Sequence, residues 1–271
     1  MPKTEFRPDT HGFAFVNRWT LDYQEINDIR RQLREGIGGT RTFLQTLLVS
    51  LRVAPGLRSA LEEASAEMTD WVDYAAVEPY GLCGGMAFAA LDYYLAGVDV
   101  PRGASKGHPT DETPEGKKLR DYLTKRLIDS LALNVGTFLV WMAILHDTSG
   151  RGPFAGGAGR LRRESEKQWR KLKRTLKRGQ PRPLGLVGTT DDPTQNHQVL
   201  AYGYDDPGDG TGTIWVYDMN CRGPGQAIEV DFREEVLKAE EECPSPLRGP
   251  LRGFFCEKYV RERNPPRIEW P

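Results

Sequence analysis

From Met86 to Leu95 the chain is apolar at almost every position, with Asp92 the only charge. That pattern predicts a helix buried on all sides rather than one lying on a surface. Gly97 is its stop. Upstream, Tyr23 to about Val53 reads as helical and charged, interrupted at Gly36, Gly38 and Gly39 and ended by Pro55-Gly56, and Leu57 to about Val72 reads as a further helix with an acidic face. Downstream, Leu119, Tyr122, Leu123, Leu127 and Leu131 keep helical spacing. The apolar run Val135 to Leu145 then predicts a second helix, so that the two form a pair. Arg160 to Arg178 is amphipathic, with Leu161, Trp169, Leu172 and Leu176 on one face and Arg162, Arg163, Lys167, Arg170, Lys171, Lys173, Arg174 and Lys177 around the rest. Near the start, His11 to Trp19 is a short apolar run that fits a strand or an extended arm.

Beyond Gly179 the period changes from helical to strand-like. Strands are predicted at Pro183–Gly188, His197–Tyr204, Thr213–Asp218, Ala227–Val230 and Gly253–Val260. The second and third are joined by the strong turn signal of Asp205 to Gly212. Helices first and an antiparallel sheet afterwards make an α+β arrangement of two lobes, residues 1–180 helical and residues 181–271 sheet-forming. Pro101 to Gly116 and the glycine-rich 149–159 read as surface loops; the latter lacks the Gly-Lys-Ser/Thr ending of a phosphate-binding loop.

The 271 residues carry 37 Lys+Arg against 38 Asp+Glu, a formal charge of −1. So balanced a chain argues against a protein built to coat nucleic acid, and the basic helix is best read as a solvated face. The most apolar window, Leu131 to Leu145, contains Asn134 and Gly136 and falls short of the roughly 20 residues of a membrane span. The first residues are polar, without the apolar core of a secretory leader. Cys83, Cys221, Cys243 and Cys256 are widely spaced, with no CxxC, which argues against structural zinc. If Cys83 works as a thiol, at most one disulfide forms among the other three, and a reduced, cytoplasmic setting is expected. His11, His108, His146 and His197 are scattered without ligand spacing, so neither a metal nor a cofactor is expected.

The candidate chemistry begins at Tyr80-Gly81-Leu82-Cys83-Gly84-Gly85, where a cysteine opens the buried helix. A thiolate there is favoured by the unpaired N–H groups and by the positive end of the helix dipole, and the flanking glycines leave the sulfur open. On the strand from His197, the period of two puts His197, Val199, Ala201 and Gly203 on one face and Gln198, Leu200, Tyr202 and Tyr204 on the other. Ile214, Val216 and Asp218 share a face of the next strand. A hairpin between these strands brings Asp218, near the end of one, beside His197, near the start of its partner. Asn17 is a further side-chain donor near a cleft.

Gly81-Leu82-Cys83-Gly84-Gly85-Met86-Ala87, Asn196-His197-Gln198-Val199-Leu200-Ala201-Tyr202-Gly203-Tyr204-Asp205 and Ile214-Trp215-Val216-Tyr217-Asp218-Met219-Asn220 together resemble the papain-like cysteine peptidases. Their texture is nearest the bacterial double-glycine peptidase-like branch. The resemblance covers residues 80–97 and 183–220. It implies a papain-like two-lobed fold and a hydrolase acting on peptide or isopeptide bonds of a peptide or protein substrate. In that scheme Cys83 attacks the acyl carbon, His197 moves the proton and Asp218 orients the ring; Asn220 is the alternative orienting group. A deamidase or acyl transferase would use the same residues. Val77 stands where those families usually carry an oxyanion-donating glutamine, and Gly84 replaces the aromatic residue that follows the nucleophile in papain. The second oxyanion donor is therefore expected from Asn17 or Gln195. Without one, the chain is a papain-like scaffold retained for binding.

Overall fold

The computed structural model of the chain describes residues 3–17, 82–146, 156–188, 196–221, 223–241, 243 and 251–271, with isolated positions between 23 and 35. The helices expected at 23–53 and 57–72, together with Val77, Gln195 and most of the 149–159 loop, lie outside the described residues.

Among the described residues four helices and six strands follow in chain order: α1 (Pro8–His11), α2 (Cys83–Ala96), α3 (Pro114–His146), α4 (Gly157–Lys177), β1 (Arg182–Val187), β2 (His197–Asp205), β3 (Thr211–Tyr217), β4 (Gln226–Asp231), β5 (Lys238–Glu241) and β6 (Gly253–Cys256). The strands make one antiparallel sheet, ordered β5-β4-β3-β2-β1-β6 and curled into half a barrel. The mixed helix-and-sheet class expected from the sequence is thus present.

The sheet is covered on both faces. On one, α2 and the N-terminal arm pack Phe6, Phe13, Met86, Ala89, Ala90 and Tyr93 against Leu200, Tyr202 and Tyr217. On the other, α4 lays Trp169, Leu172 and Leu176 on Val199, Ala201, Ile214 and Val216. The apolar stripe of α4 is therefore its seat on the sheet. Around its opposite side Lys167 pairs with Glu164, Arg170 with Glu166 and Lys173 with Asp206.

Strand alternation holds along β2 as far as Tyr202 and then breaks. A bulge between Ala201 and Gly203 turns Tyr204 to the α4 face, beside Trp169, whereas strict alternation placed it with Leu200 and Tyr202. One extra residue in a strand inverts every side chain after it.

The expected helix pair at 119–145 is a single helix, α3. Asn134 does not interrupt it. Its amide donates to Ser130 O at 2.8 Å and Lys258 O at 3.1 Å and accepts from Lys258 N at 2.7 Å, so the polar position meets the backbone of the C-terminal segment. The last expected strand stops at Cys256 rather than Val260 for the same reason: from Lys258 onward the backbone bonds to helix side chains instead of to a neighbouring strand. β5 was not marked by the pattern at all.

The arm from Lys3 to Asn17 carries the short helix α1 in its middle. Thr4 N donates to Tyr202 O at 2.8 Å, Phe13 N to Tyr217 Oη at 3.0 Å and Asn17 N to Met219 O at 2.8 Å. It crosses the sheet face and ends beside the β3 terminus.

Gly85 sets how closely α2 approaches α3. A Cβ there would lie 2.1 Å from Leu123 O, a backbone atom that only a shift of the whole helix can move. Gly85→Ala is expected to destabilise the fold by about 1–3 kcal/mol, read as a lower midpoint in urea unfolding with an unchanged slope.

Candidate active site

The site is assembled from the first turn of α2, the first residue of β2 and the segment leaving β3. Cys83 is the first residue of α2, partly buried, after Leu82 in a non-helical conformation. No side chain caps this end and no acidic residue lies in its first turn. The N–H groups of Cys83 and Gly84 thus have no intrahelical acceptor, and the positive end of the dipole is left uncompensated. At the other end Gly97, at φ 65°, closes the helix in the left-handed conformation that glycine adopts without strain.

Pairing of Leu200 with Tyr217 and of Ala201 with Val216 carries the β3 strand end toward the start of β2. His197 Nε2 lies 2.9 Å from Asp218 Oδ1, and Asp218 Oδ1 also accepts the Asn220 N–H at 2.8 Å. Both His197 and Asp218 are 2 % exposed, so water competes little for their contact. The Cys83 side chain lies close enough to the same ring to raise its basicity. With Nε2 facing Asp218, Nδ1 is the nitrogen left for the thiol. The three residues singled out in the sequence, Cys83, His197 and Asp218, therefore meet in one place.

Burial alone would lower the basicity of His197, but the carboxylate of Asp218, which accepts from the ring, and the nearby Cys83 outweigh it and hold the imidazole well above its usual range. In the low-dielectric interior an imidazolium is tolerated only with such a partner.

Asn220 completes the surroundings of Nε2, its amide nitrogen 3.3 Å away, and Asn17 Nδ2 donates to Asn220 Oδ1 at 2.9 Å. Asp218, not Asn220, makes the shorter contact to the ring. A protonated ring is a donor at both nitrogens, so it favours the amide of Asn220 with its oxygen toward Nε2. With the Asn17 amide turned over as well, its Oδ1, otherwise buried without a donor among the described residues, accepts the Asn220 N–H. Asn17 consequently lies on the Nε2 side of the ring, away from the nitrogen left for the thiol. Its place suits it to holding Asn220 rather than to donating to an oxyanion at Cys83.

Beneath the first turn of α2 lies a group that the sequence reading passed over. Gln198 sits so close to Gly84 that a Cβ on that glycine would fall 1.6 Å from Gln198 Oε1 and 2.4 Å from Ser130 Oγ. Gln198 Nε2 contacts Glu257 Oε1, and Glu257 is 1 % exposed. The only signal in the sequence was the neighbour relation of Gln198 to His197, since Glu257 arrives from far along the chain.

Cys221 and Cys243 form a disulfide, which fastens the turn after Asn220 to the end of β5. Cys256 is buried, and burial pushes its thiol up to about 11. Among the described residues no cluster of three or more His, Cys, Asp or Glu side chains could hold a metal ion, and no helix is long and apolar enough to cross a membrane.

No protein-family model, curated protein or solved structure matches this chain. The chemistry of the site therefore rests on its own geometry.

Because the folded imidazole is held above its unfolded value, its ion pair contributes stability that is complete below about pH 6.5 and is lost as pH rises through the folded value. Asp218→Asn should therefore lower the melting temperature most below pH 6.5, with the gap to wild type closing under alkaline conditions. Nitrogen-15 NMR should find His197 protonated at pH 7 in the wild type and neutral in the variant.

Proposed function

We propose that the chain is a thiol acyl-transfer enzyme, a cysteine hydrolase of peptide or isopeptide bonds with a papain-like arrangement of nucleophile and base. The observation that carries this reading is the convergence of Cys83, His197 and Asp218 from three separate elements, with the imidazole between the thiol and a buried carboxylate.

Each group has a role that its surroundings suit. The thiol proton rests on His197 as an imidazolium beside the Cys83 thiolate, and that sulfur attacks the acyl carbon, forming a C–S bond as the carbonyl electrons move onto oxygen. The uncapped N–H groups of Cys83 and Gly84 are the donors available to that oxyanion. His197 then returns the proton to the leaving amine as the C–N bond breaks. Water, activated by the same ring, releases the acyl group and regenerates the thiol. Asp218 holds the ring and stabilises its charged form throughout. Two adjacent backbone donors make the side-chain amide expected in place of Val77 dispensable for this scheme.

With ammonia as the leaving group the same steps deamidate glutamine, and with an amine as acceptor they transfer the acyl group. The substrate class proposed is a peptide or protein, with neither metal nor cofactor. As for setting, the cysteine count pointed to a reduced cytoplasm, whereas the Cys221–Cys243 bond is of a kind that persists where conditions are oxidising.

The test is reaction with iodoacetamide at pH 6, followed by peptide mass spectrometry. Cys83 is expected to be modified while buried Cys256 is spared, and His197→Ala should slow the modification about tenfold or more. With an activated acyl ester, wild type should accumulate one acyl group on Cys83 and His197→Ala should acylate about 10²–10⁴-fold more slowly. Equal alkylation and acylation of wild type and His197→Ala would defeat the enzyme reading.

A further inference from the structure

Glu257 follows β6 directly. Its backbone N–H donates to Pro183 O at 3.0 Å and its carbonyl accepts from the Arg182 guanidinium. The carboxyl group is directed inward, 1 % exposed, with Oε1 against the Gln198 amide and Oε2 without a partner among the described residues. An ionised carboxylate would leave that second oxygen dry and unpaired, which is costly in an interior.

The hydrogen atoms around Gln198 lead to the same protonation state. Ser130 Oγ lies 2.8 Å from Leu127 O and 3.2 Å from Gln198 Oε1. A hydroxyl has one hydrogen to give, and the shorter contact, to a carbonyl that can only accept, takes it. The end of Gln198 facing Ser130 is then better satisfied as the NH2 group, donating to Ser130 Oγ. That turns the Gln198 carbonyl toward Glu257, and two oxygens in contact share a hydrogen bond only if one of them carries a proton. The amide cannot, so the carboxyl does. Each contact along the chain Glu257, Gln198, Ser130, Leu127 O then pairs one donor with one acceptor.

We propose that Glu257 is a positioning residue of the Cys83–His197 pair, a neutral carboxylic acid that donates to Gln198 and so braces its amide against Gly84 beneath the first turn of α2. The proposal rests on the acyl-transfer reading above. Gly84 is next to Cys83 and Gln198 is next to His197, so this single amide touches the neighbours of both reacting residues. Once Glu257 ionises it can only accept. The Gln198 amide must then turn over, placing its oxygen against Gly84 and Ser130, and a negative charge enters the pocket that opposes formation of the thiolate.

The groups facing Glu257 set where this happens. Burial raises its carboxyl, against the hydrogen bond from Gln198 and the positive charges of Arg182 on β1 and His197 on β2, to about 8. Cys256, the adjoining residue, keeps its proton to about 11, with Lys171 of α4 nearby. From α3, Ser130 reaches Gln198 and Asn134 reaches the backbone of Lys258, both neutral side chains.

Glu257→Gln separates the proton from the shape, since its amide still donates to Gln198 and never ionises. The measurement is the rate of Cys83 alkylation by iodoacetamide from pH 6 to 9.5 in wild type, Glu257→Gln and His197→Ala. Wild type and Glu257→Gln should match below pH 7, and wild type should fall about fivefold behind the variant above pH 8, as expected for the loss of one hydrogen bond. A ratio that stays flat across the whole range, or a Glu257→Gln rate already low below pH 7, would overturn the proposal. If wild type and His197→Ala react alike, the acyl-transfer reading itself fails. If His197→Ala is slow and the ratio is flat, only the role of Glu257 fails. Thermal melts give a second readout. Folded Glu257 keeps a proton that the unfolded chain has lost, so wild type should lose stability relative to Glu257→Gln as pH rises from about 4.5 toward 8 and hold level beyond.

Discussion

The structure depends on how closely the beginning of α2 can approach its surroundings, and that closeness depends on two missing side chains. Gly85 rests against the backbone of Leu123 and Gly84 against Gln198 and Ser130, each nearer than a Cβ would allow. With the helix seated this deep, the thiol of Cys83 reaches a histidine that is itself buried. A larger residue at either position would lift the first turn away from the strand that carries His197.

A buried ionic cluster secures the middle of the same helix. Asp92, fully buried, accepts from Arg126 at 2.7 Å, Tyr122 at 2.9 Å, Tyr259 at 2.6 Å and the backbone of Glu262 at 2.8 Å. Burial still raises its carboxyl in spite of Arg126 and these donors. Such a group is tolerated because every lone pair is used, and the pairing joins α2, α3 and the C-terminal segment. The same segment carries Glu257 into its place beneath the turn of Cys83. A charge in the core is thus tied, through the chain that satisfies it, to the geometry of the site.

Polar groups around Cys83 and His197 fall into two sets on either side of the histidine. Asp218, Asn220 and Asn17 surround Nε2 and fix the ring, while Gln198, Ser130 and Glu257 lie beneath the turn that carries the thiol. The Cys221–Cys243 bond anchors the first set, since Cys221 N also donates to Asp218 O at 3.3 Å. The basic face of α4 belongs to neither set. It lies across the sheet from α2, and several of its charges are held by acidic neighbours.

What the sequence by itself determined was local. A run of apolar residues between Cys83 and Gly97 specified a buried helix and its stop, and alternation specified the strand that begins at His197 and the one that leads into Asp218. Turn residues from Asp205 to Gly212 set the hairpin that brings those two together. These features were legible because each depends on backbone period and turn chemistry within a few neighbouring residues. Tertiary structure decided the rest. A bulge redirected Tyr204, Asn134 was satisfied by a distant backbone and so left α3 unbroken, and Asn17 came to rest behind the imidazole. Glu257 reached the site from the far end of the chain. None of these has a periodic signature, because the partner that fixes each one is distant in sequence, and only the folded chain brings the hydrogen-bonding groups within reach of one another.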